Sequence, residues 1–505
     1  MQSEALPVRT DRHSGDGESS FHDMMAERLR QAPWFVVSAA AHAVVLLLLW
    51  LLVPPEQVHR AVNRASVVDT DTVELVQPTP PPVPDTEREE VVDPQVVTPS
   101  DLPDALADVP SADDVSPVPS AFQDFGTNPA VGLGPSAAGP GSPYGLRGKE
   151  RGGKPGPGPA AMVAALTWLR RHQDEDGRWD CDQFMKHDDP ALPRCTGAGN
   201  AVHDVGVTGL ALLAFLGDGS TLRGGNDRDV VRRAVQWLRG QQGENGLIGS
   251  ASCHDFLYDH AIAAYALGEA FGLSDYQLLR APAQRAIDYL EAHRNPYGVW
   301  RYQPRDGDND TSVTGWCIMA MATGKHFGLQ VNDAALRLSA VWLDQVSDAT
   351  GLHGYSKQGE PSSRKPGDHA ARFPPDQGAA MTAVGLFCRF FLGQDPQEQP
   401  VMKAAANLLL QKPPRWDVKA GSIDHYYWYY ASYALYQMGG PAWQAWQRKL
   451  EPVLVKNQHR DEQNTNLHGS WDPVCAWGED GGRIYSTAIL ALTLQANWRY
   501  TRLMH

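Results

Sequence analysis

The stretch Trp168-Leu-Arg-Arg-His-Gln-Asp-Glu-Asp-Gly-Arg-Trp179 decides how this chain folds. A Trp-Leu pair ends a helical run. A Gln follows four residues after the Leu, and Gly-x-Trp closes the turn. The pattern returns downstream. Trp237-Leu238 leads to Gln242 and Gly246, and Tyr289-Leu290 to Gly298-Val-Trp300. Trp342-Leu343 leads to Gly351 and Gly354-Tyr355, Leu408-Leu409 to Arg415-Trp416, and Gln458 to Gly469-Ser-Trp471.

A period of this size marks stacked helical units, none able to bury its own apolar face alone. The motif has structural chemistry. A Gln amide satisfies orphan backbone groups at a helix end. Gly supplies the positive φ that follows a helix, and Trp covers the joint.

Around each copy the pattern is helical. Outer helices carrying the Trp-Leu ends are expected at about 159–172, 228–241, 279–293, 334–346, 398–411 and 441–457. Between them lie helices apolar on nearly every side, at about 204–216, 258–271, 311–327, 377–392, 424–438 and 483–498. Gly217, Gly272, Gly328, Gly393 and Gly439 are expected to stop the first five. A helix apolar all round must be buried all round, and amphipathic helices can enclose it. Six such pairs predict an all-α fold, a single closed (α/α)6 toroid over 157–505. Val207-Thr-Gly209 and Val313-Thr-Gly315 fall at matching places in two inner helices.

The motif resembles the QW repeat of squalene–hopene cyclases, shared more loosely by protein prenyltransferase β subunits. The likeness runs from about Pro157 to the C-terminus, with Arg294 where the third Gln would stand. The cyclases' resemblance implies a proton donor in an Asp-x-Asp-Asp-Thr motif. The nearest stretch, Gly307-Asp-Asn-Asp-Thr311, puts Asn309 at the donor position, and an amide cannot protonate an alkene. The prenyltransferases' resemblance implies zinc held by Asp, Cys and His. Here Asp376-Gln377-Gly378 stands in place of Asp-x-Cys, and Tyr427 in place of the His. The thioester motif of complement-like relatives is absent.

A net charge of −15, with Lys and Arg scattered among acids, argues against a nucleic-acid partner. Six cysteines show no CxxC spacing, so no structural metal is assigned and no cofactor is named. Cys181 and Cys195, in one connection, are either a disulfide or two buried thiols. Residues 1–32 are polar and expected to be disordered. Trp34–Val53 is apolar and uncharged, about long enough for a bilayer core of ~30 Å. It is read as a retained signal anchor (33–54), the rival being a cleaved signal peptide. Residues 55–156 are a Pro-rich linker expected to be disordered.

Within the anchor, Ser38 and His42 share one helix face, and a His in hydrocarbon is costly. With Pro78-Thr-Pro-Pro-Pro-Val-Pro84 behind it, this segment resembles the N-terminal anchor of TonB-type energy transducers. That resemblance implies a proton-driven motor complex as partner. It also implies an inner-membrane, single-pass location with the C-terminal domain in the periplasm. The alternative is a plain anchor with a tolerated His.

If outer and inner helices alternate, the inner N-termini gather at one rim. That rim would collect His203-Asp204, Asp259-His260, Asp308 with Asp310, Asp376, Asp424-His425 and Tyr485. Each acid alone is most simply a helix cap. Together they are the candidate site. Asp308, Asp310, Asp424 and His425 are the catalytic candidates. His203, Asp204, Asp259, His260, Trp316, Asp376, Tyr427 and Tyr485 are the ligand-binding ones. Two functions remain: a module binding a ligand or partner, or an enzyme acting on an isoprenoid or other hydrophobic substrate.

Overall fold

The computed structural model of the protein describes residues 42–44 and 156–500. The anchor expected at 33–54 therefore lies outside the described residues except for His42–Val44, which are helical and exposed. Ser38 and the Pro-rich linker lie outside them altogether. No helix among the described residues is long and apolar enough to cross a membrane. The chain divides into two compact units, 1–95 and 96–505, and the second contains all of the helices from Pro157 onward.

Among the described residues, twelve long helices alternate as expected. The outer ones are α1 (Pro157–Arg171), α3 (Arg228–Gly240), α5 (Arg280–His293), α7 (Asp333–Gln345), α9 (Pro400–Gln411) and α11 (Gly440–Asn457). The inner ones are α2 (Asp204–Gly217), α4 (Phe256–Ser274), α6 (Thr311–His326), α8 (Ala380–Phe391), α10 (His425–Met438) and α12 (Gly478–Leu494). Every residue of α2 is buried, whereas α3 buries only Val230, Val231, Ala234, Val235 and Leu238, one stripe at helical spacing. Pro157 and Pro400 start α1 and α9, where a missing N–H costs nothing.

Packing closes the ring. Neighbouring inner helices touch in the order α2, α4, α6, α8, α10, α12, and α12 packs back on α2. In the outer layer α11 packs on α1.

The motif makes the joints. Gln173 Nε2 donates to Gly177 O in its own loop and to Val230 O at the start of the next outer helix, both at 3.0 Å. Gln242 repeats this with Gly246 O (3.2 Å) and Pro282 O (2.9 Å). Gln458 does so with Gly469 O (2.9 Å) and Ala161 O (2.7 Å), tying the end of the chain to α1. Arg294 keeps half of the role, giving Nη1 to Gly298 O at 3.0 Å while the rest of its guanidinium pairs with Glu291. Three loop Trp rings lock back on their helices: Trp179, Trp300 and Trp471 donate Nε1–H to Leu169 O, Leu290 O and Leu454 O at 2.7–2.9 Å. The loop glycine must be glycine. Gly177 has φ 103°, and a Cβ there would sit 2.2 Å from Arg233 O.

Two of the expected helix stops fall elsewhere. Gly217 is the last residue of α2, and Gly272 lies inside α4, where a Cβ would strike the Phe327 ring. Close packing, not termination, selects Gly272, and α4 ends at Asp275 in the left-handed region. Gly328, Gly393 and Gly439 do follow their helices with positive φ. Cys181 and Cys195 are buried free thiols, so the disulfide alternative is not realised here.

The axis is filled. Ser312 Oγ on α6 lies 2.8 Å from Tyr426 OH on α10. Deeper, Trp316 stacks on Tyr429 with centroids 5.7 Å apart. At the far end the hydroxyl of Tyr500 meets that of Tyr265 on α4, and its ring packs on Tyr433 of α10. Arg499 beside it bonds Glu269 and Leu213 O.

Replacing Gln458 by Ala leaves the Gly469 carbonyl without its side-chain donor and removes the link to Ala161 O at the closing joint. The expected loss is ~1–3 kcal/mol of unfolding free energy, read by denaturant titration. Gly177→Ala is expected to cost more, because strain and a backbone clash add. Unchanged midpoints for both variants would contradict the role given to the joints.

Candidate functional site

Alternating outer and inner helices leave the six inner helices parallel, so their N-termini, each with partial positive charge, open on one face. The carboxylates there first serve those ends. Asp310 caps α6 by accepting Val313 N–H at 2.7 Å, and Asp424 caps α10 by accepting Tyr427 N–H at 3.0 Å.

Three groups of side chains make the mouth. Ahead of α2, His203 Nδ1 lies 3.0 Å from Asp259 Oδ2 in the first turn of α4. Burial disfavours charge on this ring, but Asp259, with Asp255 and Asp480 behind it, outweighs that and pushes the pKa up to about 9. Asp480 in turn binds the Lys365 ammonium. Asp204 accepts the Cys181 N–H at 2.8 Å and the Arg178 guanidinium at 3.1 Å. Burial, only partly offset by Cys181 N–H, lifts its pKa to about 6.

The second group surrounds Asp310, which is fully buried. Its Oδ2 accepts Tyr355 OH at 3.2 Å, and that hydroxyl lies 2.7 Å from Tyr302 OH. Arg301 sits 3.8 Å away, over both rings. Burial outweighs the cap bond, the phenol and the guanidinium, and the pKa is pushed up to about 7. The third group is Asp424, 3.6 Å from Arg364. Burial raises its pKa against the pull of that guanidinium. Tyr485 stands in the field of Asp424 and Asp480, its phenol pushed up chiefly by burial.

The rim thus holds His203, Asp204, Asp259, Asp310, Asp424 and Tyr485. The other candidates differ in setting. His260 is wedged between layers, where its Nδ1 accepts Ile248 N–H at 3.0 Å and its Nε2 donates to Ala286 O at 3.1 Å. His425 is fully buried among Trp416 and Trp428, and burial lowers its pKa to about 3. Its first-turn position aims it outward, not at the mouth. Tyr427 also points to the outer layer, donating to Lys412 O at 2.9 Å. Trp316 fills the axis. Asp376 is exposed on the turn Pro375–Gln377, and Asp308 is exposed on a loop, 3.4 Å from Arg301.

Sequence reasoning missed Tyr302, Tyr355, Arg301, Arg364 and Cys253 as parts of the mouth. All lie on connections, where no helical period reports which way a residue faces. Two trios of potential metal-ligand atoms also form, each within 4.8 Å: His203–Cys253–Asp259 at the mouth, and His172–Asp188–Cys195 in the first connection.

No family model matches the chain, and no curated protein does. Among solved structures, the chain is similar to the type II terpene cyclase MstE from Scytonema, at 15% identity and TM-score 0.42, over 67% of this chain and 97% of that one. It is similar to an inactive variant of an α-1,6-mannanase of Salegentibacter sp. in complex with α-1,6-mannotriose, at 10% identity and TM-score 0.47, over 68% and 99%. A third is an α-amylase from Clostridium perfringens, at 10% identity and TM-score 0.43, over 67% and 97%.

A carboxyl whose folded pKa is raised favours the folded state at low pH, and that contribution is lost as pH rises. For Asp310 the window runs from its unfolded value of 3.8 to about 7. Asn also caps helices, so Asp310→Asn removes the titration and keeps the cap. Between pH 4 and 7 the wild type is expected to lose stability relative to this variant, on the order of 2–4 kcal/mol. Thermal melts across that range check it, and a pH-independent gap would contradict the raised pKa.

Proposed function

We propose that this is a membrane-tethered toroid that binds a polar ligand or partner segment bearing basic groups at its acidic mouth. The single observation behind this reading is the filled axis: Ser312–Tyr426 and Trp316–Tyr429 join the non-adjacent helices α6 and α10, and Tyr265 of α4 meets Tyr500 from beyond α12. A long isoprenoid has no open barrel to enter, so recognition falls to the rim, where Asp204, Asp259, Asp310, Asp424 and Asp480 stand among Arg178, Arg301, Arg364 and Lys365.

The sets implied by the two family resemblances are also missing in space. Asn309 Oδ1, at the cyclase donor position, accepts Val299 N–H at 2.8 Å and is committed to its loop. Tyr427, at the zinc His position, turns to the outer layer and donates to Lys412 O. In this proposal the Trp34–Val53 segment anchors the chain in the inner membrane, the Pro-rich stretch spaces the toroid into the periplasm, and Ser38 and His42 couple the anchor to a proton-driven complex.

A second reading is favoured by one feature. Asp310, with its pKa near 7 and its Tyr355–Tyr302 relay, is suited to giving up a proton at neutral pH. This would serve an enzyme on a hydrophobic substrate.

A photo-crosslinking residue at Tyr302, at the mouth, is expected to trap a discrete partner or ligand in cells. One at Val341, exposed on α7, is not. Identical adducts from both positions, or stoichiometric isoprenoid lipid in the purified full-length protein, would overturn the binding reading.

A further inference from the structure

The connection between α1 and α2 is long for a joint in this ring. It must cross from the outer layer to the inner one, yet it holds only two short helical turns, Phe184–His187 and Ala201–His203. Its middle is pinned by hydrogen bonds to the last connection of the chain. Asn466 Oδ1 accepts Asp189 N–H at 2.8 Å, and its Nδ2 donates to Asp189 O and Pro193 O at 3.0 and 3.1 Å. This is where the first and last repeats meet.

Inside that junction, His172, Asp188 and Cys195 converge, with their ligand atoms within 4.8 Å of one another. The proton count there is short. His172 Nδ1 lies 2.8 Å from Trp168 O, an acceptor only, so Nδ1 carries the hydrogen. A neutral imidazole has no second N–H. Its Nε2 lone pair therefore faces Asp188 Oδ1, 3.4 Å away, and two lone pairs repel unless a cation stands between them. The Asp188 side chain is only 5% exposed, and no Lys or Arg among the described residues comes within salt-bridge distance of it. Its other oxygen accepts Cys195 N–H at 2.7 Å, which fixes its orientation and leaves its charge uncompensated.

We propose that His172 Nε2, Asp188 Oδ1 and Cys195 Sγ bind a zinc-type divalent cation that staples the ring where its ends meet. Imidazole, thiolate and carboxylate together suit this class of ion and not calcium or magnesium. A tetrahedral ion with bonds of about 2.0–2.3 Å holds its ligands less than 4 Å apart, a small contraction from what is seen. The backbone carbonyl on Nδ1 is the usual orienting partner of a metal-bound histidine. The Cys195 thiol donates to Asn466 O at 2.7 Å and gives up that bond when the ion binds. Its S–H bond breaks, the electron pair forms the S–metal bond, and the proton leaves to solvent. Thiolate and carboxylate then balance the dication. The site lies off the mouth and stands whether the toroid binds or catalyses.

The test uses full-length protein purified in detergent, stripped with chelator and titrated with Co2+. One equivalent is expected to bind with a thiolate-to-cobalt charge-transfer band that Zn2+ removes. Zn2+ should also raise the thermal midpoint by a few degrees. The band should vanish in Cys195→Ser and persist in Cys253→Ser, whose cysteine belongs to the mouth trio and is partly exposed. Absence of the band in the wild type, its survival in Cys195→Ser, or its loss in Cys253→Ser would each overturn the proposal. The wild-type and Cys253→Ser results decide the matter even where Cys195→Ser fails to fold.

Discussion

One side-chain amide, used repeatedly, holds this molecule together. Gln173, Gln242 and Gln458 each give two hydrogens to backbone carbonyls: one in the loop the Gln begins, one near the start of the next outer helix, where the amide adds a second donor to a carbonyl already in the helix. A buried carbonyl left without a donor costs ~1–3 kcal/mol, so each amide fixes the angle between successive repeats. Gly177 and Gly469 bring the loop backbone against the neighbouring helix, and Trp seals the joint. Because Gln458 reaches Ala161, the same bond that spaces the repeats also ends their succession.

Closure then dictates the rest. Six parallel inner helices present their positive ends on one face, and the residues that cap them become the residues of the mouth. Burial raises the pKa of both Asp310 and Asp424, opposed at Asp424 first by the Arg364 guanidinium and at both by the N–H groups they cap. At the other face Tyr500 and Arg499 fill the axis. The mouth is therefore a charged surface over an aromatic core.

Much of this was legible in the sequence. The repeat spacing set the number and order of helices, and ends agree within a few residues because Gly, Pro and Asp mark them physically. What failed was direction around the axis. An inner helix is apolar on all sides, so no stripe reports which first-turn residue faces the mouth. Asp259 does, while His260, one residue and about 100° further round, faces the outer layer. His425 follows Asp424 with the same outcome. Tyr302, Tyr355, Arg364 and Cys253 were invisible for another reason: they sit on connections, where position depends on tertiary packing. Gly272 was read as a helix stop because terminating and close-packing glycines look alike until the neighbouring Phe327 is in place.

The fold and its mouth both require that the first and last outer helices touch. Spin labels at Val163 on α1 and Lys449 on α11, both exposed, measure this directly in the full-length protein by pulsed electron–electron resonance. Helices in contact lie about 8–10 Å apart between axes, so a single, narrow distance set by that spacing and the label arms is expected. A broad or long distribution, as an open arc of repeats gives, would contradict a closed ring and the shared mouth that depends on it.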